Sequence, residues 1–166
     1  MPPMLPMPPI SFEPGTLAVL VGVSGSGKST FASQYPHSWR VCLDDLREWA
    51  TDNAADQSAT PFASRVQDLL LDARLARGLI TVVDSTNVLP HVRAGLLARA
   101  RHWQRPAVAV LFDLPLAACQ RRNSARSRVV PAEVLRQQHR NLPSREQLAA
   151  EGFAQVLLPP AHAAAS

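Results

Sequence analysis

An α/β fold built on a parallel sheet with helices on both faces follows from three features of the 166-residue sequence. Short continuous apolar runs, without alternation, mark strands buried on both sides. Longer segments with helical spacing separate them, as crossovers between parallel strands require. The first apolar run also ends in a glycine-rich stretch, Gly22 to Ser29, that fits G-x-x-x-x-G-K-[ST] at a strand-to-helix junction.

Residues 17–21 (LAVLV) form the first predicted strand, and the Walker A loop follows. Gly22, Gly25 and Gly27 allow the backbone to bring its N–H groups close to anionic oxygens. Ser24, Ser26, Lys28, Ser29 and Thr30 complete the nucleotide-binding set. Lys28 suits the β- and γ-phosphates of a bound triphosphate, and the Ser29 hydroxyl suits magnesium. The helix from Lys28 ends near Gln34, because Pro36 disfavours helical geometry in the residue before it.

Residues 39–43 read as the second strand, delivering Asp44, Asp45 and Arg47 at its carboxyl end, the edge where open α/β sheets bind ligands. Polar residues 51–60 read as a loop. Pro61 opens a helix whose apolar residues Phe62, Val66, Leu69, Leu70 and Ala73 are expected to face the core. Gly78 stops it, and residues 79–83 form the third strand, ending at Asp84. An apolar strand that ends in aspartate is the Walker B arrangement, whose carboxylate serves magnesium.

A helix over residues 91–104 follows, with Val92, Leu96, Ala100 and Trp103 inward and Arg93, Arg99 and Arg101 outward. Residues 107–112 are the fourth strand. The next helix, from Pro115, carries Cys119 inward and then a cationic run, Arg121, Arg122, Arg126 and Arg128. Arg122 and Arg126, four apart, are expected on one helical face. Residues 132–141 form another amphipathic helix, and residues 153–158 the fifth strand.

Of the seventeen basic residues only Lys28 is lysine, which puts the compact ammonium at the one position where a phosphate needs a point charge on a flexible stem. The net charge of +4 and pI near 10.0 favour an acidic partner. Cys42 and Cys119 lack metal-ligand spacing and read as reduced core thiols of a cytoplasmic protein. Residues 1–12, with a proline-rich start that lacks basic residues, read as a disordered leader and not as a signal peptide or membrane span. Residues 13–158 read as a single domain with a lid over about residues 115–142, and residues 159–166 as a loose tail.

With the loop, LDDLR and RNSARSRVVPAEVLRQQ in view, the chain resembles the P-loop 5′-hydroxyl polynucleotide kinases of phages and bacteria, from Thr16 to Leu142. The resemblance implies an adenylate-kinase-like sheet of five parallel strands in the order 2-3-1-4-5, ATP as phosphoryl donor, Mg2+, and a nucleic acid 5′-hydroxyl end as acceptor. It also implies Asp44 as general base, Arg47 on an acceptor phosphate, Arg122 and Arg126 on the donor phosphates, and Ser29 and Asp84 toward magnesium. Neither the length nor a D-x-D-x-T motif for an accompanying phosphatase is present. Two other readings fit the same motifs: a P-loop kinase of a small-molecule alcohol, and a nucleotide-binding regulator without phosphoryl transfer.

Overall fold

Strands Leu17–Gly22 (β1), Arg40–Val41 (β2), Thr81–Val83 (β3), Ala107–Phe112 (β4) and Gln155–Leu157 (β5) form one sheet in a computed structural model that describes residues 10–160. Every pairing is parallel and the order is β2-β3-β1-β4-β5, as expected. The centre belongs to β1: Leu17 is in register with Thr81 of β3 on one side and with Ala107 of β4 on the other. All six β1 residues are buried, which is why their sequence is apolar without a period of two.

Alternate β1 residues feed two cores. Leu17, Val19 and Val21 pack against Leu46 of helix Leu43–Thr51 (α2), Ala63, Leu71 and Leu75 of Thr60–Ala76 (α3), and Leu96, Leu97 and Ala100 of Pro90–His102 (α4). Ala18 and Leu20 face the other way, onto Phe31 and Ala32 of Lys28–Ala32 (α1), with Ile10, Phe12, Tyr35 and Trp39 around them. Helices Leu116–Ser124 (α5) and Ala132–Arg140 (α6) meet the loop after β1 through a third cluster of Val23, Cys119 and Leu135. Helix Arg145–Glu151 (α7) leads into β5.

Several expectations are corrected. The most consequential concerns α3: Phe62, Val66, Leu69, Leu70 and Ala73 are exposed, and the helix buries Ala63, Gln67, Leu71 and Leu75 instead. Small Ala63 lets the helix lie close to the sheet, and the larger apolar face is left outside. Arg93, expected outward, is fully buried. It donates to both carboxylate oxygens of Glu151 at 2.7 and 2.6 Å and to the carbonyl of Asn87 at 3.0 Å, so its charge is matched within the fold.

Strand β2 is two residues long because the chain turns into α2 at Leu43, while Trp39 closes a 3-10 turn. The expected loop at 51–60 contains a 3-10 turn, Gln57–Ala59, capped by Asp56. Helix α1 stops at Ala32, short of Gln34. Of the expected leader, residues 1–9 lie outside the described residues, whereas Ile10 and Phe12 pack on the second core and the Ile10 carbonyl accepts from the Tyr35 hydroxyl at 2.7 Å. Residues 161–166 of the expected tail also lie outside the described residues. Among the described residues no helix is long and apolar enough to cross a membrane.

Candidate active site

The order of the sheet places the loop after β1 where the chain departs to both sides, the crevice position for ligands in open α/β sheets. Gly22 is required there by contact: a Cβ would sit 2.7 Å from Ser26 Oγ and 2.8 Å from Phe112 Cβ. Gly27 is required by conformation, with φ of 101° at the N-cap of α1. The loop then folds around its own lysine. Lys28 Nζ donates to the Val23 carbonyl at 2.7 Å and to Ser26 Oγ at 3.5 Å, and the residue is buried.

Burial pushes the Lys28 ammonium down to about 8. Asp84 and, more weakly, Asp44 oppose that shift, while the positive charge of Arg126 reinforces it. Three of the sequence-predicted residues therefore act on the same ammonium, from three different segments of the chain. A buried lysine flanked by cationic side chains is a site arranged for an anion.

Asp84, 3 % exposed, follows β3. Its Oδ2 accepts from the Ser29 hydroxyl at 3.3 Å and from Arg40 Nε at 2.9 Å. Arg40 also pairs with Asp45 at 3.2 Å. A hydroxyl and a carboxylate side by side are hard oxygen donors suited to a small divalent cation that keeps most of its ligands from water and phosphate. The buried hydroxyl of neighbouring Ser85 has no hydrogen-bond partner, which fits an additional polar occupant at this edge. No group of three His, Cys, Asp or Glu with metal-binding arrangement occurs among the described residues, so a cation here would depend on the phosphates it accompanies.

Asp44 and Arg47 share one face of the first turns of α2. Arg47 is buried, anchored by Nε to the Ala54 carbonyl at 2.9 Å, and its Nη2 donates to Asp44 Oδ1. The other oxygen, Oδ2, accepts from Arg128 at 3.2 Å. Asp44 is thus held from both sides with its side chain still 46 % exposed. Each carboxylate oxygen retains a lone pair for an incoming hydroxyl.

The arginine segment packs over the loop, although not as one helical face. Helix α5 ends at Ser124, so Arg122 lies on it while Arg126 falls beyond its C-cap, Ala125. Arg122 Nη1 donates to the Ser26 carbonyl at 3.3 Å. Asn123 closes the following loop by bonding Val130 in both directions, from Nδ2 to the carbonyl at 2.8 Å and from the Val130 N–H to Oδ1 at 2.9 Å. That clasp presents Arg126 and Arg128 toward Lys28 and Asp44. Helix α6 adds Gln138, whose Oε1 accepts from the Ser24 N–H at 2.9 Å. Thr30 stands exposed in the first turn of α1.

Sequence reasoning did not place Arg40, Asn123 and Gln138 in the candidate site, and Arg128 entered only as part of a charged run. Each owes its place to contacts between distant segments. The thiols of Cys42 and Cys119 are buried, and burial pushes Cys42 up to about 11 and Cys119 above its usual range, as expected of inert core residues.

A family model described as AAA domain matches residues 17–144. No curated protein sequence matches the chain. Solved structures share the fold. A chain of the Pnkp1/Rnl/Hen1 RNA repair complex superposes with a TM-score of 0.68 at 22% identity, over 86% of this chain and 47% of its own. This chain therefore spans about half the length of that relative. Kti12 from Chaetomium thermophilum, in complex with ADP-AlF3, gives 0.59 at 15% identity over 86% and 87% of the two chains. The Mycobacterium tuberculosis APS kinase CysC, in complex with AMPPNP and APS, gives 0.52 at 21% identity over 71% of each.

Proposed function

The chain belongs to the AAA domain family, and from that premise we propose that it is an ATP-dependent kinase of 5′-hydroxyl ends of RNA or DNA. One observation carries the reading: Asp44 is flanked by Arg47 and Arg128 and lies within electrostatic reach of the loop lysine, Lys28. A carboxylate beside two guanidiniums and opposite a phosphate cradle suits an alcohol that is itself attached to a phosphodiester.

In the proposed reaction the loop N–H groups and Lys28 hold the donor phosphates, and Arg122 and Arg126 neutralise charge on the transferring group. Asp44 orients the acceptor hydroxyl and takes its proton as the oxygen attacks the γ-phosphorus. The bond from that phosphorus to the bridging oxygen breaks, and ADP leaves. Ser29 and Asp84 are the residues that would hold magnesium, whose charge would help neutralise the donor phosphates. Arg47 holds the acceptor phosphate. Two relatives of the same fold support the donor half, since Kti12 was solved with ADP-AlF3 and APS kinase with AMPPNP. The RNA repair complex supports a nucleic acid as acceptor.

Incubation with ATP labelled in the γ-phosphate and a panel of 5′-hydroxyl RNA, 5′-hydroxyl DNA and small alcohols tests the proposal. Label is expected on the oligonucleotides. Label on a small alcohol alone assigns the same site to a metabolite kinase, and binding of ATP with no acceptor labelled assigns it to a regulator.

A further inference from the structure

Two aspartates open α2, and the proposed reaction uses only Asp44. The carboxylate of Asp45 is held by Arg40, the first residue of the edge strand β2, with Nη1 3.2 Å from Oδ2. The same guanidinium donates from Nε to Asp84 Oδ2 at 2.9 Å. One arginine therefore bridges the helix that carries Asp44 to the carboxylate after β3. Asp84 is buried, so this is not an ordinary surface pair, whose two charges water would screen. Burial alone would lower the Arg40 pKa, but the hydrogen bond and charge of Asp84 outweigh it and hold the guanidinium above its usual value.

Asp84 Oδ2 accepts from both Arg40 and the Ser29 hydroxyl, whereas Oδ1 accepts no hydrogen bond among the described residues. Arg40 thus sets a full positive charge beside the carboxylate that would hold magnesium. Positive charges this close repel, and far more strongly at a partly buried site than in water. A bare divalent cation meets that repulsion in full. A cation carried by a triphosphate does not, because the phosphates reverse the sign of the complex. We propose that Arg40 is a positioning residue that acts through Asp84, making the donor site reject a divalent cation on its own and accept one carried by nucleotide. The inference rests on the donor half of the proposed function and is independent of the acceptor.

Removing the guanidinium would leave Asp84, Asp45 and the Ser29 hydroxyl bordering the position it fills, hard oxygen donors with two negative charges and nothing between them to offset those charges. Such a set takes a divalent cation without help from phosphate. Charge and shape can be separated at this position. A lysine keeps the positive charge but lacks the planar fork that reaches two carboxylates at once. Exclusion of the bare cation is therefore expected to follow the charge of residue 40 and not the fork.

Manganese(II), followed through the electron paramagnetic resonance signal of the unbound ion, measures bare-cation affinity in the full chain without nucleotide. Calorimetry at saturating manganese measures ATP affinity in the same proteins, and circular dichroism checks their folding. Arg40→Gln is expected to bind bare manganese at least about tenfold more tightly than the wild type, with no gain in ATP affinity. Arg40→Lys is expected to stay within about threefold of the wild type for bare manganese. Loss of fold alone would weaken both ligands, so a gain for one of them is not a structural effect. Arg40→Gln that binds bare manganese no more tightly overturns the inference, as does a variant that gains for manganese and ATP alike, or Arg40→Lys that behaves as Arg40→Gln. The wild type carries a test that needs no variant: uptake of bare manganese at about micromolar concentration overturns the inference as well. A wild type that takes up no ATP with manganese present overturns the proposed function itself, and this inference with it.

Discussion

Lys28 shows how a single residue joins the energetics of the loop to its chemistry. Its ammonium is held near 8, mainly by burial, and a phosphate beside it favours the charged form. Nucleotide binding is therefore expected to take up a proton once the free lysine is neutral. Affinity should stay level from pH 6 to 7.5 and fall above about 8, by up to tenfold per unit. Calorimetry at pH 8.5 in buffers of different ionisation enthalpy reads that proton directly. The same depressed value has a folding consequence of fixed sign. Between about 8 and the ordinary lysine value of 10.5 the unfolded chain binds more protons than the folded one, so this group's contribution to stability rises with pH in that window and is flat below it. Replacing the buried charge by Lys28→Met is expected to raise unfolding free energy at pH 7 by on the order of 1 kcal/mol while weakening nucleotide binding, a trade between stability and function. Urea denaturation and calorimetry on the one variant check both halves. At this scale the motif residues were legible, because a loop's phosphate-binding pattern is local in sequence. Arg40 and Gln138 were not, since nothing near them announces Asp84 or Ser24.

Secondary-structure elements were easier to find than to orient. Helix α3 carries apolar residues on more than one row, and periodicity alone picked the row with the larger side chains; the sheet instead takes the row that begins with Ala63 and admits the closer approach. Helix α7 went unassigned although Ser144 and Gln147 have capping-box spacing, and the Ser144 hydroxyl accepts from the Gln147 N–H at 3.1 Å. Helix α5 ends sooner than the charge run suggested, because Asn123 diverts the chain into the loop that it clasps at Val130. Asn123→Ala removes both bonds. It is expected to cost about 1–2 kcal/mol of stability and to lower the turnover number at least tenfold with a smaller effect on nucleotide affinity, since Arg126 and Arg128 lose their fixed presentation. Steady-state kinetics together with a thermal melt separate the two effects.

The whole molecule is tied together by a path that no local pattern reveals. Glu151 at the end of α7 receives Arg93 of α4, Arg93 donates to the Asn87 carbonyl, and Asn87 Nδ2 donates to the Leu20 carbonyl of β1 at 2.7 Å. Arg93 is fully buried while the Glu151 side chain stays 22% exposed, so Arg93→Met leaves a carboxylate that water can reach and is expected to cost about 1–3 kcal/mol, and the double change with Glu151→Met less than the sum of the singles. Urea titrations of the three variants test this. The parallel sheet and the placing of Lys28, Asp44 and Asp84 at strand ends were legible from strand sequence and motif, because the strand ends carry the chemistry, whereas the strand order and the arginine segment's place over the loop were implied by the family resemblance. What binds opposite them is the larger claim, that Asp44 aims an acceptor hydroxyl at a phosphoryl group held by the loop. The most direct test is to measure γ-phosphate transfer to a 5′-hydroxyl oligonucleotide and ATP affinity side by side in the wild type, Asp44→Asn and Lys28→Ala. Asp44→Asn is expected to lower transfer by about 10²–10⁴ with ATP affinity nearly unchanged, and Lys28→Ala to weaken both. Transfer that persists in Asp44→Asn, or is lost in step with ATP binding, would contradict the account.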